Sequence, residues 1–349
     1  MYANCGGAER MTLLYAKALQ QAGFSCHLLI IQKDGMDFSL KPFIPEGLPY
    51  DLLQTKHSGL LLHVFGYVKR LHPACIFDSM PILSMAALRI LCKLLLPDMK
   101  VIFRECNTPS RHTRLQLFLT RLSLRKADAI ISQTEEMKQE MMKCYALPPE
   151  RITVINNPID ESFILEKAKE ACRFAETDCI HYIAVARVVP QKDYQTLLKA
   201  FSIVNKQCPK SRLHIVGDYL RDMKYKKDLD ETIKNLQLEK VVRFEDFQSN
   251  PYKYIKAADV FVLSSIYEGL PNVLQEAMYL CKPVVATRCI PYISQIVKDG
   301  INGYTVPVKN PEALAKAMLK TFSLNICGKF MGNQDGDKQI VALFDKIFS

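Results

Sequence analysis

The sequence predicts an α/β protein made of two domains, each built around a parallel sheet. Three observations carry this. Short apolar, β-branched runs alternate with helix-period segments along almost the whole chain, and strands separated by helices pair in parallel. The alternation breaks once, at Asn156-Asn157-Pro158, and a charged stretch without β-branched runs follows over 161–178. The chain has 349 residues, enough for two cores of ordinary size. The expected division is a first domain over 1–160, a connection over 161–178, a second domain over 179–330, and a C-terminal helix over 331–349 that crosses back to the first domain.

In chain order, the first domain is expected to have strands near 26–31, 74–77, 101–103, 129–132 and 152–155, with helices between them as at 10–22 and 134–145. A second series begins after the connection, with strands near 182–185, 212–216, 241–244, 260–263, 284–286 and 303–306. The stretch 82–96 is apolar but short and interrupted by Arg89 and Lys93. It reads as a buried or interfacial helix rather than a membrane span. No signal peptide, short repeat or low-complexity tract is read.

The formal net charge is +10. Nucleic acid, anionic lipid and phosphorylated substrates all fit that balance. Without a zinc finger or an RNA-binding aromatic motif, nucleic acid is the least favoured. The 12 cysteines are scattered with no C-x-x-C pair, so zinc and redox motifs are unsupported. Cys26, Cys75 and Cys281 lie in or beside apolar segments and read as core filling. A reducing, cytoplasmic setting is expected.

The most informative stretch is Glu268-Gly269-Leu270-Pro271-Asn272-Val273-Leu274-Gln275-Glu276. It follows the apolar run 260–263, which reads as a buried parallel strand. Pro271 suits the first turn of a helix, so Glu268 lies on a short loop and Glu276 on the helix after it. Backbone N–H groups at that helix start favour phosphate. A carboxylate before such a cradle and another inside it suit a ligand with hydroxyls on both sides of a diphosphate, as in a nucleotide sugar. Arg187 closes a strand and Lys192 just precedes a helix beginning near Asp193. Strand C-termini face the ligand crevice of open α/β sheets, where two cations stabilise diphosphate charge. The plainer readings are an acidic helix start and a solvated charge pair.

Other segments extend the pattern. They are Gly6-Gly7-Ala8-Glu9-Arg10, Arg104-Glu105-Cys106-Asn107-Thr108-Pro109, Ala127-Asp128-Ala129-Ile130-Ile131-Ser132-Gln133-Thr134, Asn157-Pro158, Ala186-Arg187, Gln191-Lys192-Asp193, Val216-Gly217-Asp218 and Lys282-Pro283-Val284-Val285-Ala286-Thr287. In order and spacing they resemble the retaining family 4 glycosyltransferases of GT-B architecture, and the 268–276 stretch resembles that family's E-x7-E signature.

The resemblance implies two Rossmann-like domains facing a cleft. It also implies transfer of a sugar from a nucleotide-diphosphate donor, UDP-linked by expectation, to a glycan or polyprenyl-linked acceptor. Glu268 would hold hydroxyls of the sugar and Glu276 those of the ribose, with backbone N–H groups of Gly269, Leu270 and Asn272 near the diphosphate. Arg187 and Lys192 would stabilise the leaving diphosphate, so no metal is expected to be required. Gly6 and Gly7 would let backbone approach the ligand from the first domain, or simply form a helix-start turn. Glu105 and Asn107 would face the reacting centre, although many relatives carry a basic residue where this chain has Cys106. Gly217 would pack against the nucleotide, and Phe244 is a candidate for base contact or for core.

Asp228-Leu229-Asp230 superficially matches a metal motif but sits in a lysine-rich helical stretch. Arg111, Arg114, Arg121 and Arg125 fall on one side of a helix bordered by Leu115, Phe118 and Leu122. That is either a peripheral contact with an anionic membrane surface or a surface helix with a buried edge. The family pattern also places a strand before Gly6, and the five residues present cannot supply one at roughly 3.3 Å per residue. The first strand of the N-terminal domain is therefore expected to be missing, through a truncated or late-annotated start. A non-catalytic sugar-nucleotide-binding module and a sugar-nucleotide epimerase remain open. An NAD-dependent oxidoreductase would need a G-x-G-x-x-G run that is not found.

Overall fold

The computed structural model describes residues 1–349 except 4–5, 33–37, 55–58, 80–82, 107, 173, 175, 220–221 and 325–334. The chain divides into two compact units, Met1–Pro158 with Asn333–Ser349, and Ile159–Gly332.

The first unit contains β1 (Leu28–Gln32), β2 (Tyr50–Gln54), β3 (Cys75–Asp78), β4 (Lys100–Arg104), β5 (Ala129–Ser132) and β6 (Ile152–Val154). Its first helices are α1 (Gly7–Gln21), α2 (Leu60–Leu71), α3 (Leu83–Leu95), α4 (Arg114–Leu124) and α5 (Glu135–Tyr145). β1 and β2 form a parallel pair, and β3-β4-β5-β6 form a parallel four-stranded sheet in that order. The sequence did not reveal β2. Four of its five residues are exposed, so no buried stripe marks it. α3 covers the apolar stretch at 82–96 and buries Met85, Leu88, Arg89 and Cys92. Among the described residues no helix is long and apolar enough to cross a membrane.

Among the described residues no strand precedes α1, although the start of the chain is tied to β1. Tyr2 forms a parallel bridge with Ile31 of β1. The Ala3 N–H donates to the Ile31 carbonyl at 2.9 Å, and the Ile31 N–H donates to the Met1 carbonyl at 2.8 Å. With the N-terminal ammonium donating to the Leu29 carbonyl at 3.0 Å, these bonds pair part of the edge of β1.

α1 is helical because Met11, Tyr15, Ala18 and Leu19 recur at helix spacing and are buried. It ends at Gly23, whose φ of 94° reverses the chain. The C-terminal helix (Gly336–Phe348) packs on α1, with Ile340 and Phe344 in one apolar cluster with Tyr15, Leu19, Ile102 and Ile131.

The second unit opens with α6 (Glu161–Lys167), capped by Asp160, whose carboxylate accepts from the Phe163 N–H. α6 lies within the stretch read as a connection. Its Ile164 is buried in a cluster with Tyr252 and Leu274, so the helix is docked on this unit. There follow β7 (Ile180–Val185), α7 (Tyr194–Gln207), β8 (Ser211–Val216), α8 (Met223–Asn235), β9 (Val242–Phe244), α9 (Tyr252–Ala257), β10 (Val260–Leu263), α10 (Asn272–Tyr279), β11 (Val284–Thr287), α11 (Pro291–Ile296), β12 (Gly303–Val306) and α12 (Pro311–Lys320). The Gly336–Phe348 helix is α13.

All neighbouring strands of this unit are parallel, in the order β12-β11-β10-β7-β8-β9. Both sheet faces are covered. Tyr182 and Ala184 of β7 enter one apolar cluster and Ile183 the other, as the period of two requires. Each fully buried Leu, Phe or Val in these clusters contributes about 1.5–3 kcal/mol. The chain runs outward from β7 through β8 and β9, then returns to β10 on the other side. β7 and β10 therefore flank the point where strand order reverses, and their C-terminal loops border the crevice that such a reversal leaves.

Candidate active site

Two loops meet at this switch point. The loop after β7 carries Arg187 and Lys192. Arg187 is exposed just beyond the strand. Lys192 ends a short 3-10 turn, Pro190–Lys192. Asp193 then adopts φ 49° and caps α7, accepting from the Thr196 N–H and from its hydroxyl. The loop after β10 carries Glu268, which is buried. Lys192 Nζ lies 2.5 Å from Glu268 Oε1, and the Ser265 hydroxyl donates to the same oxygen at 2.6 Å.

The loops are joined at further points. The Ile266 N–H donates to the Gln191 carbonyl at 2.9 Å, the Gln191 side chain to the Tyr267 carbonyl at 2.9 Å, and the Ser264 hydroxyl to the Lys192 carbonyl at 2.7 Å. The structure thus brings together Lys192 and Glu268, which lie 76 residues apart in sequence. Ser264 and Ser265 were missed, because nothing about their type or spacing distinguishes them from loop residues, and Gln191 was noted only as part of the segment with Lys192.

α10 begins at Asn272 with Pro271 as its N-cap, one position earlier than a first-turn proline. The Asn272 N–H donates to the Leu270 carbonyl at 3.0 Å, so the expected diphosphate donor at Asn272 is already engaged. Gly269 is partly buried and Leu270 is buried beside it. Glu276 is also buried, on the second turn of α10, and accepts from the hydroxyl of Tyr252 at 3.3 Å. Tyr252 in turn meets Phe163 of α6 edge-on, at 6.1 Å between ring centroids.

Gly217 follows β8 at the same end of the sheet. A Cβ there would lie 1.9 Å from the Ala186 carbonyl oxygen, so this close backbone approach admits only glycine. Its N–H donates to the Asp246 carbonyl. Phe244 ends β9 and has one ring face covered by Tyr219, stacked at 3.8 Å.

In the first unit, Gly6 is the N-cap of α1 and Gly7, exposed, its first residue. Gly6 has extended backbone, and only the tip of the Glu9 side chain would oppose a Cβ. Glu105 follows β4. It is wholly buried and turned inward. It accepts from the Tyr145 hydroxyl at 2.6 Å and from the Cys106 N–H at 3.0 Å, and it presents no surface to a ligand. Tyr145 also contacts His112 Nδ1 at 3.0 Å. Asn107 lies outside the described residues.

The neighbouring recognisable segments converge on one buried polar network. Arg104 donates to Asn157, Asn157 to the Gln133 side chain at 3.1 Å, and Gln133 to the Glu105 carbonyl at 2.9 Å. Burial pushes the Cys106 thiol up to about 11 despite the adjacent Arg104.

Asp228 and Asp230 lie on α8. Asp230 pairs with Lys226 at 2.6 Å, and Leu229 between them is wholly buried. Among the described residues no three His, Cys, Asp or Glu side chains gather as a metal site. The arginine-rich helix also differs from expectation, because Arg111 belongs to a separate turn, Pro109–Arg111. α4 starts after Thr113, which forms a capping box with Gln116. Arg114, Arg121 and Arg125 are exposed, together with Leu115, Phe118 and Leu122 at 56%, 63% and 41%. At about 100° per residue these six share one third of the helix circumference.

The strand order is that of a Rossmann-like α/β unit, with an acid and a base paired at its switch point. Comparison with known proteins gives the family. Residues 5–163 match the family described as Glycosyltransferase Family 4, and residues 170–334 match Glycosyl transferases group 1. The chain belongs to this glycosyltransferase family.

Among curated proteins, it is 31% identical to an uncharacterized glycosyltransferase of Methanocaldococcus jannaschii, over 47% of this chain and 40% of that one. It is 26% identical to the N-acetylgalactosamine-N,N'-diacetylbacillosaminyl-diphospho-undecaprenol 4-alpha-N-acetylgalactosaminyltransferase of Campylobacter jejuni, over 63% of this chain and 59% of that one. The aligned part thus spans about half the length of these two relatives. With the amylovoran biosynthesis glycosyltransferase AmsD of Erwinia amylovora, identity is 27% over 88% of this chain and 84% of that one. The structure of Anabaena HepE, solved with UDP and glucose, superposes with a TM-score of 0.77 at 18% identity, covering 99% of this chain and 93% of HepE. That likeness extends the GT-B fold to the whole chain.

Proposed function

We propose that the protein transfers a sugar from a UDP-linked donor to a hydroxyl of a lipid-linked or other cell-envelope glycan, with retention of anomeric configuration. The observation that carries this is the Lys192–Glu268 pair, held between the C-terminal loops of β7 and β10, with Glu276 on the helix that follows. The relatives support the reading. One is named for a diphospho-undecaprenol acceptor, another for amylovoran biosynthesis, and HepE was solved with UDP and glucose.

In this reading Lys192 and Arg187 draw the donor diphosphate and stabilise the charge that grows on it as the sugar leaves. Glu276, buried and oriented by Tyr252, accepts from the ribose hydroxyls. Glu268 accepts from hydroxyls of the sugar. Its Oε1 already accepts from Lys192 and Ser265, an arrangement suited to binding rather than to covalent attack. The acceptor then attacks on the face the diphosphate leaves, and the departing phosphate takes its proton. The two cations do the work of a metal, so none is required. The exposed arginine and apolar side chains of α4 support a peripheral contact with the anionic inner face of the cytoplasmic membrane, where a polyprenyl-linked acceptor would reside.

Release of nucleoside diphosphate from UDP-, GDP- and ADP-sugars, with a lipid-linked glycan extract as acceptor, tests the reading. UDP-sugar turnover is expected to fall about 100-fold or more in kcat/KM for both Lys192→Ala and Glu276→Ala. Wild-type values in both variants would show that the site lies elsewhere. Interconversion of donors with no acceptor present would instead mark an epimerase.

A further inference from the structure

We propose that Ser265 is a positioning residue for Glu268, holding this carboxylate toward the sugar once Lys192 has been drawn to the donor diphosphate. The proposal rests on the reading of the site given above.

Glu268 Oε1 accepts two hydrogen bonds at once, from Lys192 Nζ at 2.5 Å and from Ser265 Oγ at 2.6 Å. The two donors differ in kind. Lys192 ends a short turn and carries its charge on a flexible four-carbon stem. A diphosphate offers it more negative charge than one carboxylate does, so donor binding pulls the ammonium away or forces it to be shared.

Ser265 has no such freedom. It is wholly buried. Its carbonyl accepts from the Thr287 hydroxyl at 2.6 Å, and Thr287, at the end of β11, is itself wholly buried. The next amide, Ile266 N–H, is fixed to the Gln191 carbonyl. The serine is therefore clamped from β11 on one side and from the loop after β7 on the other. Lys192 is the movable anchor of Glu268 and Ser265 the fixed one. Without the serine, this carboxylate oxygen would lose its fixed donor just as its cation is drawn away, and the sugar would meet a less firmly oriented acceptor.

The alternative is a hydroxyl that merely holds the loop. A loop defect would weaken the nucleotide and the sugar alike, whereas a positioning defect falls on the sugar. The experiment uses the full chain and the best donor among UDP-glucose, UDP-galactose, GDP-mannose and ADP-glucose, in a nucleoside-diphosphate release assay. For Ser265→Ala, the Kd of the bare nucleoside diphosphate is expected to stay within about twofold of wild type. kcat/KM for the donor should fall about tenfold, and the preference between sugar epimers should shrink. In a Glu268→Gln background the same serine change should cost less than about twofold, since there is no carboxylate left to aim. Ser265→Cys, close in size with a weaker donor, should lie between serine and alanine.

Parallel loss of nucleotide affinity and kcat/KM, or losses that add in the double variant, would overturn the proposal. A wild type that releases no nucleoside diphosphate from any of the four donors would overturn the underlying reading and this proposal with it. A Glu268→Gln enzyme as active as wild type would reject the role of Glu268 while leaving the donor site standing.

Discussion

Gly217 shows how one residue fixes backbone geometry beside the candidate site. Its missing side chain lets the end of β8 touch the backbone of Ala186 at the end of β7. Gly217→Ala would drive a Cβ to 1.9 Å from a carbonyl oxygen of fixed backbone, so one of the two strand ends must shift. The expected cost is about 1–3 kcal/mol, read as a lower urea midpoint with unchanged slope, and nucleotide affinity should fall with it. Glu268, Glu276 and Lys192 stand out in the sequence because carboxylates and cations beside a strand end have few plain uses. The partners of Glu105 do not. The same residue type after the same kind of strand turned inward to Tyr145 on α5, a partner 40 positions away that no local pattern indicates. The Arg104–Asn157–Gln133 network joins the ends of β4, β5 and β6 through segments recognisable in sequence.

Among the elements, α4 carries a prediction of its own. Its exposed face joins three arginines to Leu115, Phe118 and Leu122, while Thr120, Ser123 and Leu124 are buried. Co-sedimentation with vesicles containing anionic lipid should drop several-fold in an Arg114→Glu/Arg121→Glu/Arg125→Glu variant and in Phe118→Ser, and raised salt should weaken it. Binding unchanged in all three conditions would remove the membrane contact. Thr113→Ala, which opens the capping box, should cost about 1 kcal/mol of stability and leave vesicle binding intact, separating helix integrity from surface chemistry. The sequence placed this helix but extended it back to Arg111. His112 and Thr113 interrupt it, because a capping threonine needs extended backbone.

At the scale of the whole molecule, acid should act on the second unit through one buried chain of groups. His181 Nδ1 contacts His214 Nε2 at 3.0 Å, and His214 Nδ1 contacts Glu245 Oε1 at 2.9 Å, with Phe174 stacked over both imidazoles. Burial holds the His181 pKa below its ordinary value of 6.5, and the hydrogen bond from His214 holds Glu245 below 4.5. Both values are lowered on folding, so the unfolded chain takes up these protons first. Their contribution to stability is present above the ordinary values and is lost as pH falls. Melting temperature should therefore decline from about pH 6.5 downward, and Glu245→Gln should flatten the part of that decline below about pH 4.5. Thermal melts from about pH 7.5 to about pH 4 check this, and a flat profile in the wild type would refute it.

The amino-acid sequence by itself determined the class of this protein, most of the strand-and-helix succession of both units, and the residue types of the candidate site. Periodicity, turn residues and the Glu268–Glu276 spacing are local, and a chain carries local patterns openly. Only the tertiary structure decided which of those residues work together. The strand order that sets β7 beside β10 joins Lys192 to Glu268 and seats Ser265 against the same oxygen. Parallel pairing across long crossovers leaves no periodic mark in the sequence, since partners far apart are chosen by how two buried faces pack rather than by any neighbour along the chain.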